Sequence, residues 1–192
     1  MNRRWRSALA FGLVLNGAAL AGGADAPTAW LGNRVEVLQT GFCRVQACRL
    51  ESTRLSRPSP VGSRNGTLSR YRLRGGWALE VDVRPGGWIS AARLFLPAQS
   101  GPFVNTELHS LSPQGHRLAA DFLTTLTGRR FSAGAVAACE ARELAEYGRA
   151  PVDFQAVPGR PFSRWTTPAG LPYVARCSAV NEPGVGAGWG RG

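Results

Sequence analysis

Arginine supplies most of the chemistry that this sequence can offer. Residues 44–93 hold ten arginines against three acids, Glu51, Glu80 and Asp82, a local charge of +7. Arg70, Arg72 and Arg74 alternate with Tyr71 and Leu73, so on a strand all three leave from one face. Guanidinium groups in a row bind phosphate, sulfate or carboxylate through paired N–H donors, and nearby aromatics add stacking surface for a single strand. Arg70, Arg72 and Arg74 are therefore the candidate polyanion-binding residues. The competing role is a solvated sheet face whose arginines pair across strands with Glu80 and Asp82. Tyr71 and Trp77 share the parity of the apolar positions, which weakens stacking on the arginine face.

Other reactive types are sparse. His109 and His116 are the two histidines. Glu107 and His109 would share a strand face, and with an arginine they supply the types for general acid–base cleavage of RNA. Their spacing is not distinctive. Asp121 follows His116 by five residues, a poor helical spacing for a shared ligand. Glu140, Glu143 and Glu146 recur every three residues beside Arg142, the pattern of the wet face of an amphipathic helix. Glycan cleavage would need two positioned carboxylates instead. No Gly-x-Ser-x-Gly occurs. Gly184, Gly186, Gly188 and Gly190 alternate, but a phosphate cradle needs a strand before and a helix after. Asn65-Gly66-Thr67 fits a glycosylation acceptor and reads more simply as a turn. No catalytic residue, metal-ligand set or cofactor motif is assigned.

Cys43, Cys48, Cys139 and Cys177 can pair in three ways. Two bridges are the default in an oxidising compartment. Cys43 and Cys48 bracket four residues, short enough for strand ends around a loop to bring them into bonding range. Cys139 and Cys177 then pair and tie a helix to a late strand. A four-thiolate zinc site would need paired short gaps, which these spacings lack.

The address comes from the first 21 residues. Arg3, Arg4 and Arg6 precede an apolar run, Ala8 to Leu15, and small residues lead to Ala19-Leu20-Ala21. That is the order of a secretory signal peptide, cut after Ala21. Asn16 and Gly17 interrupt the apolar run, which falls short of the roughly 20 residues of a membrane span. Removing residues 1–21 takes three arginines and leaves 20 basic against 12 acidic residues, a net +8 with no lysine. Such a charge permits contact with nucleic acid, anionic lipid or acidic polysaccharide and says nothing of the fold.

These residues need elements to hold them. Val35, Val37 and Gln39 read as a first strand and Cys48 to Leu55 as a second. Arg70–Leu73 and Trp77–Val83 form the clearest hairpin, with Leu73 opposite Trp77, Tyr71 opposite Leu79 and Arg70 opposite Glu80. Trp88 to Leu96 is a further strand, apolar on both faces, and Phe103 to Leu111 one more at an edge. Ser112 caps a helix with Pro113 in its first turn and Gly128 at its end. Ser132 caps a second, which buries Val136, Ala137, Ala141 and Leu144, with Phe131 stapled to Val136. Residues 151–172 are proline-rich, with short extended pieces around Phe154 and Trp165. Tyr173 to Val180 is a last strand.

The expected molecule is α+β: an antiparallel sheet of hairpins with a two-helix pair on one face, disulfide-bonded. Residues 1–21 form the signal peptide, 22–33 a mobile segment, 34–180 the domain, and 181–192 a disordered glycine-rich tail. The expected function is that of an exported, soluble binding or cell-envelope component, secreted or periplasmic, without evident catalysis or cofactor. The alternatives are a basic polyanion-binding protein, for nucleic acid or acidic polysaccharide, and a small exported hydrolase such as a ribonuclease.

Overall fold

The computed structural model describes residues 29–56, 66–97, 110–147, 160–167, 170–179 and 182–189. A short helix, α1 (Gly41–Gln46), leads into β1 (Arg49–Leu55). Then come β2 (Thr67–Arg72), β3 (Ala78–Val83) and β4 (Ile89–Phe95). Two longer helices follow, α2 (Pro113–Thr127) and α3 (Ala133–Tyr147). The last elements are β5 (Arg160–Thr166), β6 (Pro172–Ser178) and β7 (Gly184–Trp189). The strands form one sheet in the order β1-β2-β3-β4-β7-β6-β5, antiparallel at every pairing. The α+β reading, an antiparallel sheet carrying a helical pair, holds.

Residue parity decides which face is dry. Tyr71, Leu79, Leu94, Val185 and Cys177 lie opposite one another across five strands, and all are buried. Val81, Ala92, Ala187 and Ala175 form the next row, also buried. On this face α2 packs against β7 and β4, and α3 against β6 and β5. Phe122, Leu123 and Leu126 of α2 are fully buried there. Each such side chain contributes about 1.5–3 kcal/mol by leaving water.

The β2–β3 hairpin has the expected register, Tyr71 opposite Leu79 and Arg70 opposite Glu80. The Leu73 N–H donates to the Trp77 carbonyl across Arg74-Gly75-Gly76, with positive φ at both glycines. Both helix starts are as read. Ser112 accepts from Gly115 N, Ser132 accepts from Ala135 N, and Gly128 ends α2 at φ 69°. Phe131 meets Phe162 of β5 edge-on.

Four expectations change. Residues 35–39 are not a strand: Val37–Gln39 is a 3₁₀ turn, and Thr40 caps α1 by accepting from Cys43 N. Residues 29–33 of the expected mobile segment are held. Trp30 is 1% exposed, and its N–H and that of Leu31 bond the Leu126 carbonyl. The large ring has a slot between Phe42 and Phe122, which it meets edge-on at 6.0 and 6.1 Å.

The third change is the tail. Within residues 181–192, Gly184–Trp189 is the strand between β4 and β6. Val185 and Ala187 face the core, while Gly184, Gly186 and Gly188 face the other way. A Cβ on Gly184 would stand 2.2 Å from the Leu94 carbonyl oxygen, so β7 approaches β4 more closely than a side chain allows. The fourth is the rotation of α3. Its buried positions are Val136, Cys139, Glu140 and Glu143, with Ala141 exposed. The Cys139–Cys177 bridge to β6 sets that rotation. The readings at Phe103–His109, Asn65 and Phe154 lie outside the described residues.

Candidate functional site

The arginine row is built on β2, and its charge is largely used within the sheet. Arg70 lies 3.5 Å from Glu51 and 3.5 Å from Glu80. Arg72 pairs with the other oxygen of Glu51. Arg93, opposite Glu80 on β4, binds it at 2.9 Å and Glu182 at 2.9 Å. The Arg70 and Arg93 guanidinium groups also lie over the Phe95 ring, 5.4 and 4.1 Å from its centroid. Glu51 reaches both Arg70 and Arg72 because β1 bulges between Leu50 and Ser52. Glu80 is the expected partner of Arg70; Glu51 is an added one. Asp82 accepts instead from Ser56 Oγ at 3.1 Å. Arg74 leaves the strand at the hairpin turn and is exposed, without a carboxylate partner among the described residues. The three candidate residues thus do not act alike.

A second constellation was hidden by the helix reading. Glu140 is 3% exposed and Glu143 4%, so neither belongs to a wet face. Oε1 of Glu140 accepts from Leu111 N at 2.8 Å, and Oε2 accepts from Ser110 Oγ at 3.0 Å. His116 Nε2 stands 2.7 Å from the same Oε2. A carboxylate and an imidazole at this distance can share or pass a proton. The serine bonds the carboxylate rather than the imidazole, so the three do not form a serine–histidine–acid relay. The arrangement anchors the entry of α2 onto α3. The open depression beside α2, about 400 Å³ and lined by Gln46, Trp77, Gln114, Arg117 and Asp121, does not include His116 or Glu140. A span of 24 residues separates His116 from Glu140, and no local spacing could reveal it. The usable signal was Cys139: a helix turned to bridge that cysteine buries its neighbour Glu140. Glu107 and His109 lie outside the described residues.

A third set lies at the opposite end of the sheet from Arg74. Trp165, Tyr173 and Trp189 are register neighbours on β5, β6 and β7. Trp165 stacks on Tyr173 with centroids 5.9 Å apart. Arg129, just past α2, lies over Trp165 at 5.6 Å, and Arg84 over Trp189 at 4.0 Å. Arg84 N donates to the Trp88 carbonyl at 2.8 Å, closing a turn through Gly86 and Gly87. Arg34 then lies over Trp88 at 5.2 Å. Burial raises the Tyr173 phenol above its ordinary pKa, opposed by the charge of Arg84.

Both cysteine pairs are as expected. Cys43 joins Cys48 and Cys139 joins Cys177, with Cα separations of 4.9 and 6.2 Å. The first joins the third residue of α1 to the residue before β1, not two strand ends. Among the described residues no cluster of three or more His, Cys, Asp or Glu could hold a metal, and no helix is long and apolar enough to cross a membrane. No family model matches the chain, and neither a curated protein nor a solved structure matches it.

Proposed function

We propose that this chain is an exported binding or cell-envelope component that acts through its surface. The pairing of all four cysteines carries the reading. Such bridges persist in oxidising compartments and are reduced in the cytosol. The basic, apolar and small order of residues 3–21 agrees with that route. Binding is supported by charge that the protein leaves unused: Arg34, Arg84 and Arg129 have no carboxylate partner among the described residues. Fractionation with N-terminal sequencing and thiol counting tests the proposal. The expected product starts at Gly22 or close to it, lies outside the cytoplasm and has no titratable thiol. An intact Met1 chain with four free thiols in the cytosol overturns it.

An exported hydrolase is the second reading, and the 2.7 Å approach of His116 to Glu140 is the observation that favours it. Hydrolysis of RNA that disappears in His116→Gln while the thermal midpoint is kept supports this alternative. Absence of hydrolysis by the disulfide-bonded protein removes it.

A further inference from the structure

We propose that Arg129, Arg84 and Arg34, laid over Trp165, Trp189 and Trp88, form a belt that binds an anionic polysaccharide, with the buried Tyr173 supporting Trp165 from the core side. This rests on the binding reading above and names its surface and ligand class. The contacts along the belt are continuous. Arg129 covers Trp165, which stacks on Tyr173, and Tyr173 faces Trp189 across one strand spacing. Arg84 covers Trp189 and is joined by its backbone to Trp88, which Arg34 covers. Strands lie about 4.8 Å apart, so the belt crosses several of them and suits a linear polymer better than one small anion.

The chemistry of a stacked guanidinium selects the ligand. An arginine whose guanidinium lies over a ring is held in place without spending its N–H donors on the ring, so those that reach solvent stay available to a carboxylate or sulfate. Arg34 and Arg129 are exposed, Arg84 is half-buried, and Trp88 is 46% exposed. The Nε of Arg84 is buried with no hydrogen-bond partner. Its charge is therefore less well solvated than that of an ordinary surface arginine, and an anion at its outer edge would relieve that deficit. The contrast with Arg70, Arg72 and Arg93 is sharp, since carboxylates already hold those three. Arg34, Arg84 and Arg129 carry charge that no carboxylate among the described residues takes up.

Single-stranded nucleic acid is the weaker candidate for the same surface. Its bases need open aromatic faces. Trp165 has Tyr173 and Arg129 against it, and Trp189 has Arg84. What the belt offers to solvent is the exposed Arg34 and Arg129 and the half-exposed Trp88, which suit anions carried on saturated sugar rings.

The test uses the purified, disulfide-bonded chain and heparin as the probe, titrated by tryptophan fluorescence at low and moderate salt. Binding should weaken steeply with salt. Arg84→Gln with Arg129→Gln should lower affinity about tenfold or more and flatten the log–log salt slope by roughly one per lost contact. Arg49→Gln with Arg74→Gln removes the same charge elsewhere and should change affinity less than about twofold. Arg84→Lys keeps the charge but removes the guanidinium that lies 4.0 Å from the Trp189 centroid, and it should fold normally yet lose most of the Arg84 contribution. Equal loss in the two double variants, wild-type binding by Arg84→Lys, or no binding at low salt overturns the proposal. Tighter binding of a single-stranded oligonucleotide through Arg84 and Arg129 also overturns it, in favour of nucleic acid. Because the titration is independent of compartment, a cytosolic protein that still binds heparin through the belt would refute export alone.

Discussion

Two phenol hydroxyls give the clearest residue-scale test. Tyr71 and Tyr173 are 8% and 4% exposed on the core face, and burial raises both above the ordinary value of 10.0. For Tyr71 the hydrogen bond to Ser69 opposes burial and Glu36 adds to it; for Tyr173 Arg84 opposes it. In the unfolded chain both ionise near pH 10, while the folded state keeps its protons to higher pH. The folded state therefore binds more protons in that window, and stability falls as pH rises from about 10 through the folded values. Below pH 10 the contribution is complete. Phenolate absorbance at 295 nm should show these two tyrosines ionising together with loss of near-ultraviolet circular dichroism. Smooth ionisation of all three tyrosines near pH 10 in an intact fold would contradict this. The core side of Tyr71 was legible, because it alternates with arginines over a run long enough to fix parity. The partners of Glu140 were not, because its acceptor bonds reach to Ser110, Leu111 and His116, all far away in sequence.

At the scale of elements, local signals were read well and couplings poorly. The β2–β3 hairpin and the start and stop of α2 follow from parity, caps and glycines within a few residues. The burial of α3 depends on a bridge to β6, 38 residues away, so its apolar pattern alone misplaced the dry face. The segment at Val35–Gln39 alternates like a strand, yet the N-cap at Thr40 and the slot filled by Trp30 made it a turn. The two bridges should differ in weight. Closing a 38-residue loop removes more freedom from the unfolded chain than closing a 5-residue one, about 4 against about 2 kcal/mol in the chain-entropy account. Denaturant unfolding of Cys139→Ala/Cys177→Ala should therefore show the larger loss, with α3 released from β6. A greater loss in Cys43→Ala/Cys48→Ala would mean that the α1 staple governs stability through native contacts.

For the molecule as a whole, the sheet is two pieces joined by one strand. β1 to β4 pair in sequence order, β5 pairs with β6, and β7 alone connects them. Glycine content hid this: Gly184, Gly186 and Gly188 read as disorder, while the alternating Val185, Ala187 and Trp189 was the strand signal. A chain ending at Asn181 should lose cooperative unfolding, because β4 and β6 are left with open edges and Leu94, Ala92 and Ala175 lose cover. A peptide of residues 182–190 should restore it, read by circular dichroism and thermal midpoint. A truncated chain with an unchanged midpoint would show that the halves hold without β7. The position of that strand also has a consequence in time. Its partner Phe95 precedes Gly184 by about ninety residues, a long-range pairing of the kind that slows folding. During synthesis the two halves have no shared edge until Gly184–Trp189 emerges. The sheet is thus withheld until β7 has been made, and on the proposed export route a chain threaded across a membrane in extended form would gain from a lock that engages so late after β4.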